Sequence, residues 1–186
     1  MEARPVSKYV PSGPPRYSHQ IKALKKILRT RGVCALLMEP GTGKSAVTLD
    51  YLSMLALKAG ESGEEVRALV VSPKAAVDNW VLQAETFVHE DVNVWAEALG
   101  GSIRQKAQTL MSRGPEPFNP RTWVRKKDQA QAPYRAVNAD RAALLYVRNL
   151  KNPGEKVNGP SELPTPRLLI ESINLEAFSS RDRVGS

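Results

Sequence analysis

The apolar residues of this chain follow two periodicities, one typical of helices and one typical of buried strands. Between residues 21 and 28, apolar side chains recur every three or four positions, which predicts a helix with one buried face. The unbroken apolar runs 33–38 and 68–71 predict two strands, and the composition of the second run favours burial on both of its faces. The pattern therefore combines helices and strands from the first third of the chain onward.

Later segments continue this alternation. Helical spacing covers residues 44–57 and 76–88, and short apolar runs at 92–95 and 167–170 predict two more strands. Strands that alternate with helices form a mostly parallel sheet with helices on both faces, so the predicted fold class is α/β. Ligands of such sheets bind at the carboxyl ends of the strands.

Proline and charge divide the chain into four parts. Residues 1–16 form a proline-rich, irregular arm, and residues 17–113 hold the periodic core. Residues 114–166 contain eight of the 14 prolines and a basic run, which favours a partly disordered insertion with one helix at 139–150. Residues 167–186 return to the core with a strand and then end.

A glycine-rich turn joins the run 33–38 to the helical segment that follows it. Its sequence is Met38-Glu39-Pro40-Gly41-Thr42-Gly43-Lys44-Ser45. Strand, glycine loop and helix in this order are typical of a phosphate-binding loop, in which several backbone N–H groups converge on one anion. In such a loop Lys44 reaches the β- and γ-phosphates, so it is the candidate catalytic residue, and Ser45 ligates Mg²⁺. Residues 40–45 are thus the candidate site for ATP and its magnesium ion; the alternative is an ordinary turn before a helix.

The charge of the chain favours a polyanionic partner, with a merely solvated basic surface as the alternative. The 186 residues carry a formal net charge of +8. Trp123 and Tyr134, beside basic residues, either stack on bases or anchor the insertion, and the anchor is favoured. The single cysteine, Cys34, excludes an internal disulfide, and no apolar run approaches membrane-spanning length. We expect no membrane partner and a cytoplasmic location (the host cytoplasm for a phage protein, or the nucleus in a eukaryote).

Three separated motifs together resemble the first RecA-like lobe of superfamily 2 helicases, most closely the Swi/Snf-type translocases and phage helicases. They are Tyr17-Ser18-His19-Gln20, the glycine loop, and Ser72-Pro73-Lys74 after the second predicted strand. The resemblance implies a RecA-like fold that binds ATP, with Gln20 hydrogen-bonded to the adenine edge and Tyr17 packed against the base. It also implies that Ser72, Pro73 and Lys74 contact a nucleic-acid backbone, with DNA favoured over RNA.

The chain departs from the family pattern at several positions, and each departure changes what we expect of its function. Met38 stands where most other phosphate-loop enzymes keep glycine, which favours this branch over nucleotide kinases and AAA-type ATPases. Gln83 stands where the Swi/Snf pattern often has Glu, and Ser172 is a looser match to a further backbone contact. The family's next motif, an apolar strand that ends in Asp-Glu, is not found before residue 186, and neither is a second lobe with arginine fingers.

The resemblance implies the ATP-binding lobe of a nucleic-acid-dependent helicase or translocase. Because the Asp-Glu pair and the arginine finger are missing, we expect the 186-residue chain to bind ATP weakly and to hydrolyse it negligibly, so its standing as an enzyme stays open. A second RecA-like lobe or a downstream polypeptide is the implied partner. The alternative is a non-hydrolytic module that binds a nucleic acid or another protein.

Overall fold

The computed structural model describes residues 9–100, 106–107, 110, 135–138, 143–148 and 163–175. Helices α1, α2 and α3 span Ser18–Arg29, Lys44–Gly60 and Val77–Phe87, and a 3₁₀ turn, Lys74–Ala76, leads into α3. Strands β1 to β5 span Glu65–Ser72, Asn93–Ala98, Arg135–Asn138, Ala143–Arg148 and Arg167–Asn174. In the described part of the chain, the helices are too short or too polar to cross a membrane.

The strands form one five-stranded sheet in the order β1-β5-β2-β4-β3. β5 lies parallel to both of its neighbours, and its Ile170 is paired with Ala68 of β1 and Ala96 of β2. β4 pairs antiparallel with β2, and β3 extends that antiparallel edge. The predicted α/β class is confirmed, with three adjacent parallel strands at one side of a mixed sheet.

The main core lies between one face of the sheet and helices α2 and α3. Leu168 and Ile170 of β5 and Val94 of β2 point to this face and are completely buried. Leu49 of α2 and Val81 of α3 belong to the same cluster. The two helices that pack into this cluster, α2 and α3, therefore lie on the same face of the sheet.

The opposite face of the sheet buries a smaller apolar cluster and a carboxylate. The cluster contains Trp95, Val147, Leu163 and Leu169. Glu171 is 5% exposed and accepts hydrogen bonds from Arg67 at 3.1 and 3.2 Å. Burial raises the pKa of Glu171, and the guanidinium of Arg67 opposes that shift.

The segment 33–38 is not a strand, so the prediction of a strand directly before the glycine loop is wrong. It has no regular secondary structure and joins no strand of the described sheet. Cys34 and Leu36 pack against α1 and α2, whereas Val33 and Leu37 are 84% and 96% exposed. A strand needs neighbours for its backbone as well as apolar side chains, and the local sequence cannot supply those neighbours.

The predicted helix at 139–150 is also wrong where the structure describes that region. β3 ends at Asn138, and Ala143–Arg148 is strand β4. Pairing with β2 buries Tyr146 on the helical face of the sheet and Val147 on the other face. Contact with β2 thus outweighs the helical spacing of the sequence. Trp123 and Tyr134 lie outside the described residues.

Candidate phosphate-binding site

Two glycines shape the turn that precedes α2. Gly41 and Gly43 have φ angles of +79° and +86°, in the left-handed region that side chains with a Cβ avoid. Gly43 is also the N-cap residue of α2, and no side chain caps the first turn of that helix. The first amides of a helix point out of its N-terminus and have no partner within the helix. The turn can therefore receive an anion at a helix N-terminus.

The lengths of α2 and β1 place this turn at one end of the sheet. The 17 residues of α2 span about 25 Å and the eight residues of β1 about 26 Å. The short connection 61–64 joins the two elements, so the start of α2 lies at the same end of the sheet as Ser72, which ends β1. The glycine loop thus lies at the carboxyl ends of the parallel strands, where α/β folds bind ligands.

Lys44 is held within the loop that it follows. Its Nζ donates to the carbonyl oxygens of Met38 and Glu39 at 2.7 and 2.9 Å. Thr42 closes the same turn, because its Oγ1 donates to the Glu39 carbonyl at 2.6 Å. Ser45 lies in the first turn of α2 and is half-buried. An ammonium group, a hydroxyl and several amides are therefore gathered within a few residues of chain.

Gln20 links α1 to the glycine loop. It is 8% exposed, its Nε2 donates to the Thr42 carbonyl at 2.9 Å, and its Oε1 accepts from the Tyr17 amide at 3.0 Å. An amide side chain has two donor hydrogens and two lone pairs, so one of each remains for an adenine edge. The adenine contact stays a prediction, and the structure adds that the same side chain positions the loop.

Tyr17 lies on the surface beside this link. The residue is 70% exposed, and its ring stacks on that of His19 with centroids 5.8 Å apart and 8° between the planes. Nε2 of His19 lies 3.1 Å from the Thr42 carbonyl. The exposed Tyr17 ring therefore lies at the N-cap of a helix that touches the loop, and its packing against a base stays a prediction.

Replacing Gly43 with alanine is expected to destabilise the protein more than replacing Gly41. Each change forces an alanine into the left-handed region at a cost of about 1–2 kcal/mol. A Cβ at Gly43 would also clash with Nε2 of Gln20, which would have to give up its hydrogen bond to Thr42, whereas a Cβ at Gly41 meets no atom within 4 Å. Urea unfolding should therefore show a clearly larger loss for Gly43→Ala than for Gly41→Ala. Equal losses would contradict the contact between Gln20 and the loop.

A buried ion pair, which the sequence analysis missed, fastens the N-terminal arm to α2. Arg16 donates to Asp50 from Nε at 2.7 Å and from a second guanidinium nitrogen at 2.9 Å, and the two side chains are 4% and 1% exposed. Tyr9 adds a hydrogen bond to Asp50 at 3.2 Å. Burial raises the pKa of Asp50, and the hydrogen bonds from Arg16 oppose that shift. The available signal was a lone carboxylate at position 50 within the apolar pattern of 44–57.

This ion pair affects the position of the glycine loop, because Arg16 lies just before the start of α1. The same guanidinium donates to the carbonyl oxygens of Ser12 and Pro14, so it also shapes the arm. Arg16 immediately precedes α1 and is bonded to Asp50 of α2, so it helps to position the start of α1 on α2. The contact between Gln20 and Thr42 depends on that position.

The structure places Ser72, Pro73 and Lys74 at the same end of the sheet as the glycine loop. Pro73 and Lys74 are exposed, and their contact with a nucleic acid stays a prediction. Ser72 is 7% exposed, and its Oγ is buried without a hydrogen-bond partner among the described residues, so a phosphate contact needs the side chain to move. Ser172 is completely buried and donates to the Val77 carbonyl at 3.0 Å, so its interpretation as a backbone contact is wrong.

No protein-family model, curated protein or solved structure matches this chain. Within the ranges that the structure describes, no group of three or more His, Cys, Asp or Glu side chains could hold a metal ion. A magnesium ion would instead depend on the Ser45 hydroxyl and on the phosphates of a nucleotide. The chemistry of the site therefore follows from the glycine loop and from α1.

Proposed function

We propose that this chain is the ATP-binding lobe of a nucleic-acid-dependent helicase or translocase that acts on DNA. One observation carries the proposal: a loop with two left-handed glycines leads into a 17-residue helix without a side-chain cap. The amides and the dipole of such a helix start favour a polyanion. The hydrogen bond of Gln20 to Thr42 supports a nucleotide over a simple phosphate, because it brings an adenine-binding candidate to the loop.

Each group of the proposed site has its own role. The loop amides of residues 41–45 bind phosphate oxygens, with Pro40 at the start of the turn. The ammonium of Lys44 exchanges its carbonyl partners for the β- and γ-phosphates and neutralises charge there. Ser45 would hold Mg²⁺, which supplies further neutralisation of the phosphates. Gln20 and Tyr17 contact the base.

A non-hydrolytic binding module is the second candidate, and the buried carboxylates favour it. Hydrolysis requires a group that positions the metal ion or the attacking water. Among the described residues, the buried carboxylates are Asp50 and Glu171, and each is paired with an arginine. Both carboxylates are therefore already engaged in ion pairs within the fold. A second RecA-like lobe or another polypeptide would have to complete an ATPase.

Competition against a fluorescent ATP analogue tests the proposed function on the whole chain. We expect the affinity to fall in the order ATP, ADP, AMP and adenosine, because each lost phosphate removes negative charge that the amides of the glycine loop would bind. Equal affinity for ATP and adenosine would contradict a phosphate-binding loop. Phosphate release, measured in the same samples, should be negligible, and rapid hydrolysis by the pure chain would contradict both candidates, because it requires a carboxylate that neither of them assigns.

A further inference from the structure

The exposed face of α1 carries positive charge only. We call this face the basic stripe; its members are Lys22, Lys25, Lys26, Arg29 and, just after the helix, Arg31, and all of them are exposed. α1 contains no Asp or Glu. Among the described residues, the ion pairs are formed by other cations, so no carboxylate there neutralises the stripe.

This arrangement is unfavourable for a helix that is only solvated. Lys22 and Lys26 stand four residues apart, as do Lys25 and Arg29, and like charges at that spacing repel each other. Solvent-exposed helix faces that are stabilised by salt bridges alternate the two signs of charge, and this face does not. Only the last-turn residues gain from the helix dipole, and Lys22 lies outside that turn. A polyanion along the stripe would remove the repulsion.

We infer that the basic stripe binds the phosphate backbone of a nucleic-acid strand. The inference rests on the proposed function, since it names where the nucleic-acid partner lies. Lys22 and Arg29 are about 10 Å apart along the helix axis, so their long side chains can reach different phosphates of one strand. The stripe can therefore meet successive phosphates with successive turns of α1.

A membrane surface does not suit the same helix. A basic amphipathic helix enters a bilayer through its apolar face. In α1 that face is already used, because Leu24 and Ile27 are each 5% exposed and pack in a cluster with Val47 of α2. The open face of α1 carries the cations and one large exposed apolar side chain, Ile21, which is 40% exposed. A hydrated polyanion is the better complement.

The location of the stripe adds to this argument. The first turn of α1 contacts the glycine loop through Gln20 and His19, both at the Thr42 carbonyl. Beside them, Tyr17, the proposed contact of the adenine base, stacks on the exposed His19 ring. A strand on the stripe would thus run from the surface of α1 toward the nucleotide site.

The test uses the full chain and a fluorescent single-stranded DNA oligonucleotide, titrated between 50 and 300 mM salt. The stripe variant is Lys22→Gln/Lys26→Gln. The control, Ser62→Glu/Thr86→Glu, lowers the net charge by the same amount at exposed positions near the C-terminal ends of α2 and α3. Each single-strand phosphate contact contributes a slope of about 0.7 in log affinity against log salt. We expect the stripe variant to lose about 1.4 of slope and about 25-fold in affinity at 0.1 M salt, and the control to keep the slope.

Equal effects of the stripe variant and the control would overturn the inference, since they would reflect net charge alone. An unchanged slope in both would overturn it as well. ATP-analogue binding, measured on the same variants, separates this failure from failure of the proposed function. If the stripe variant binds the analogue normally and binds DNA like the control, the proposed phosphate-binding loop is still supported, but the basic stripe is not the DNA contact.

Discussion

Substitution of Arg16 by alanine is expected to cost about 3–5 kcal/mol of unfolding free energy, the range for breaking a buried ion pair. The loss is large because Asp50, 1% exposed, would be left as a buried charge without its bidentate partner. Burial already raises the pKa of Asp50, so without Arg16 its protonated form should gain further. Urea unfolding at neutral pH, followed by far-ultraviolet circular dichroism, measures the difference.

Two variants keep this prediction falsifiable even if Arg16→Ala does not fold. Lys25→Ala removes an exposed cation from α1 and should change stability by no more than about 0.5 kcal/mol. Arg16→Met/Asp50→Leu replaces both charges by apolar groups and should recover most of the lost stability. A single Arg16→Ala variant within 1 kcal/mol of the unsubstituted chain, by the same urea measurement, would contradict a buried, energetically coupled pair.

Substitution of Lys44 by alanine is expected to weaken ATP binding about 10- to 150-fold. A hydrogen bond to a charged group contributes about 1.5–3 kcal/mol, and each 1.4 kcal/mol is a factor of ten. The loss should be large for ATP and ADP and small for adenosine, because Lys44 is proposed to contact the β- and γ-phosphates. Titration of the fluorescent analogue, with each of the three as competitor, gives the affinities.

Lys58→Ala is the matched control for this change. Lys58 lies in the last turn of the same helix, about 21 Å from Lys44 along the axis, so its removal changes the net charge equally without touching the loop. We expect Lys58→Ala to bind ATP as the unsubstituted chain does. A Lys44→Ala variant that folds normally and keeps its ATP affinity would show that the loop does not bind phosphate.

The elements that the sequence predicts well are those fixed by contacts within a few residues. The apolar repeat of 21–28 and the helical spacing of 76–88 correspond to α1 and α3, because one buried face is enough to define an amphipathic helix. β4 was missed because its partner is β2, and Tyr146 pairs with Ala96 across 50 residues of chain. The segment 33–38 failed for the opposite reason: its composition suits a strand, but the described sheet gives it no neighbour.

In the candidate site, too, the features set by neighbouring residues follow from the sequence, whereas those set by contacts between distant residues do not. The order of glycines, lysine and serine in the loop is a local feature, so the position and the curled backbone of the turn follow from the sequence. The link between Gln20 and Thr42 joins residues 22 positions apart, and the pair of Arg16 and Asp50 joins residues 34 apart. Spacing alone cannot predict such contacts, because they depend on how α1 and the arm pack on α2.

The central claim, that the amides at the start of α2 hold the triphosphate of ATP, is tested most directly by amide chemical shifts of the ¹⁵N-labelled chain. On addition of MgATP, the largest changes should fall on Gly41, Gly43, Lys44 and Ser45, and adenosine should not reproduce them. Changes confined to other parts of the chain, or loop amides that respond equally to ATP and adenosine, would contradict the account.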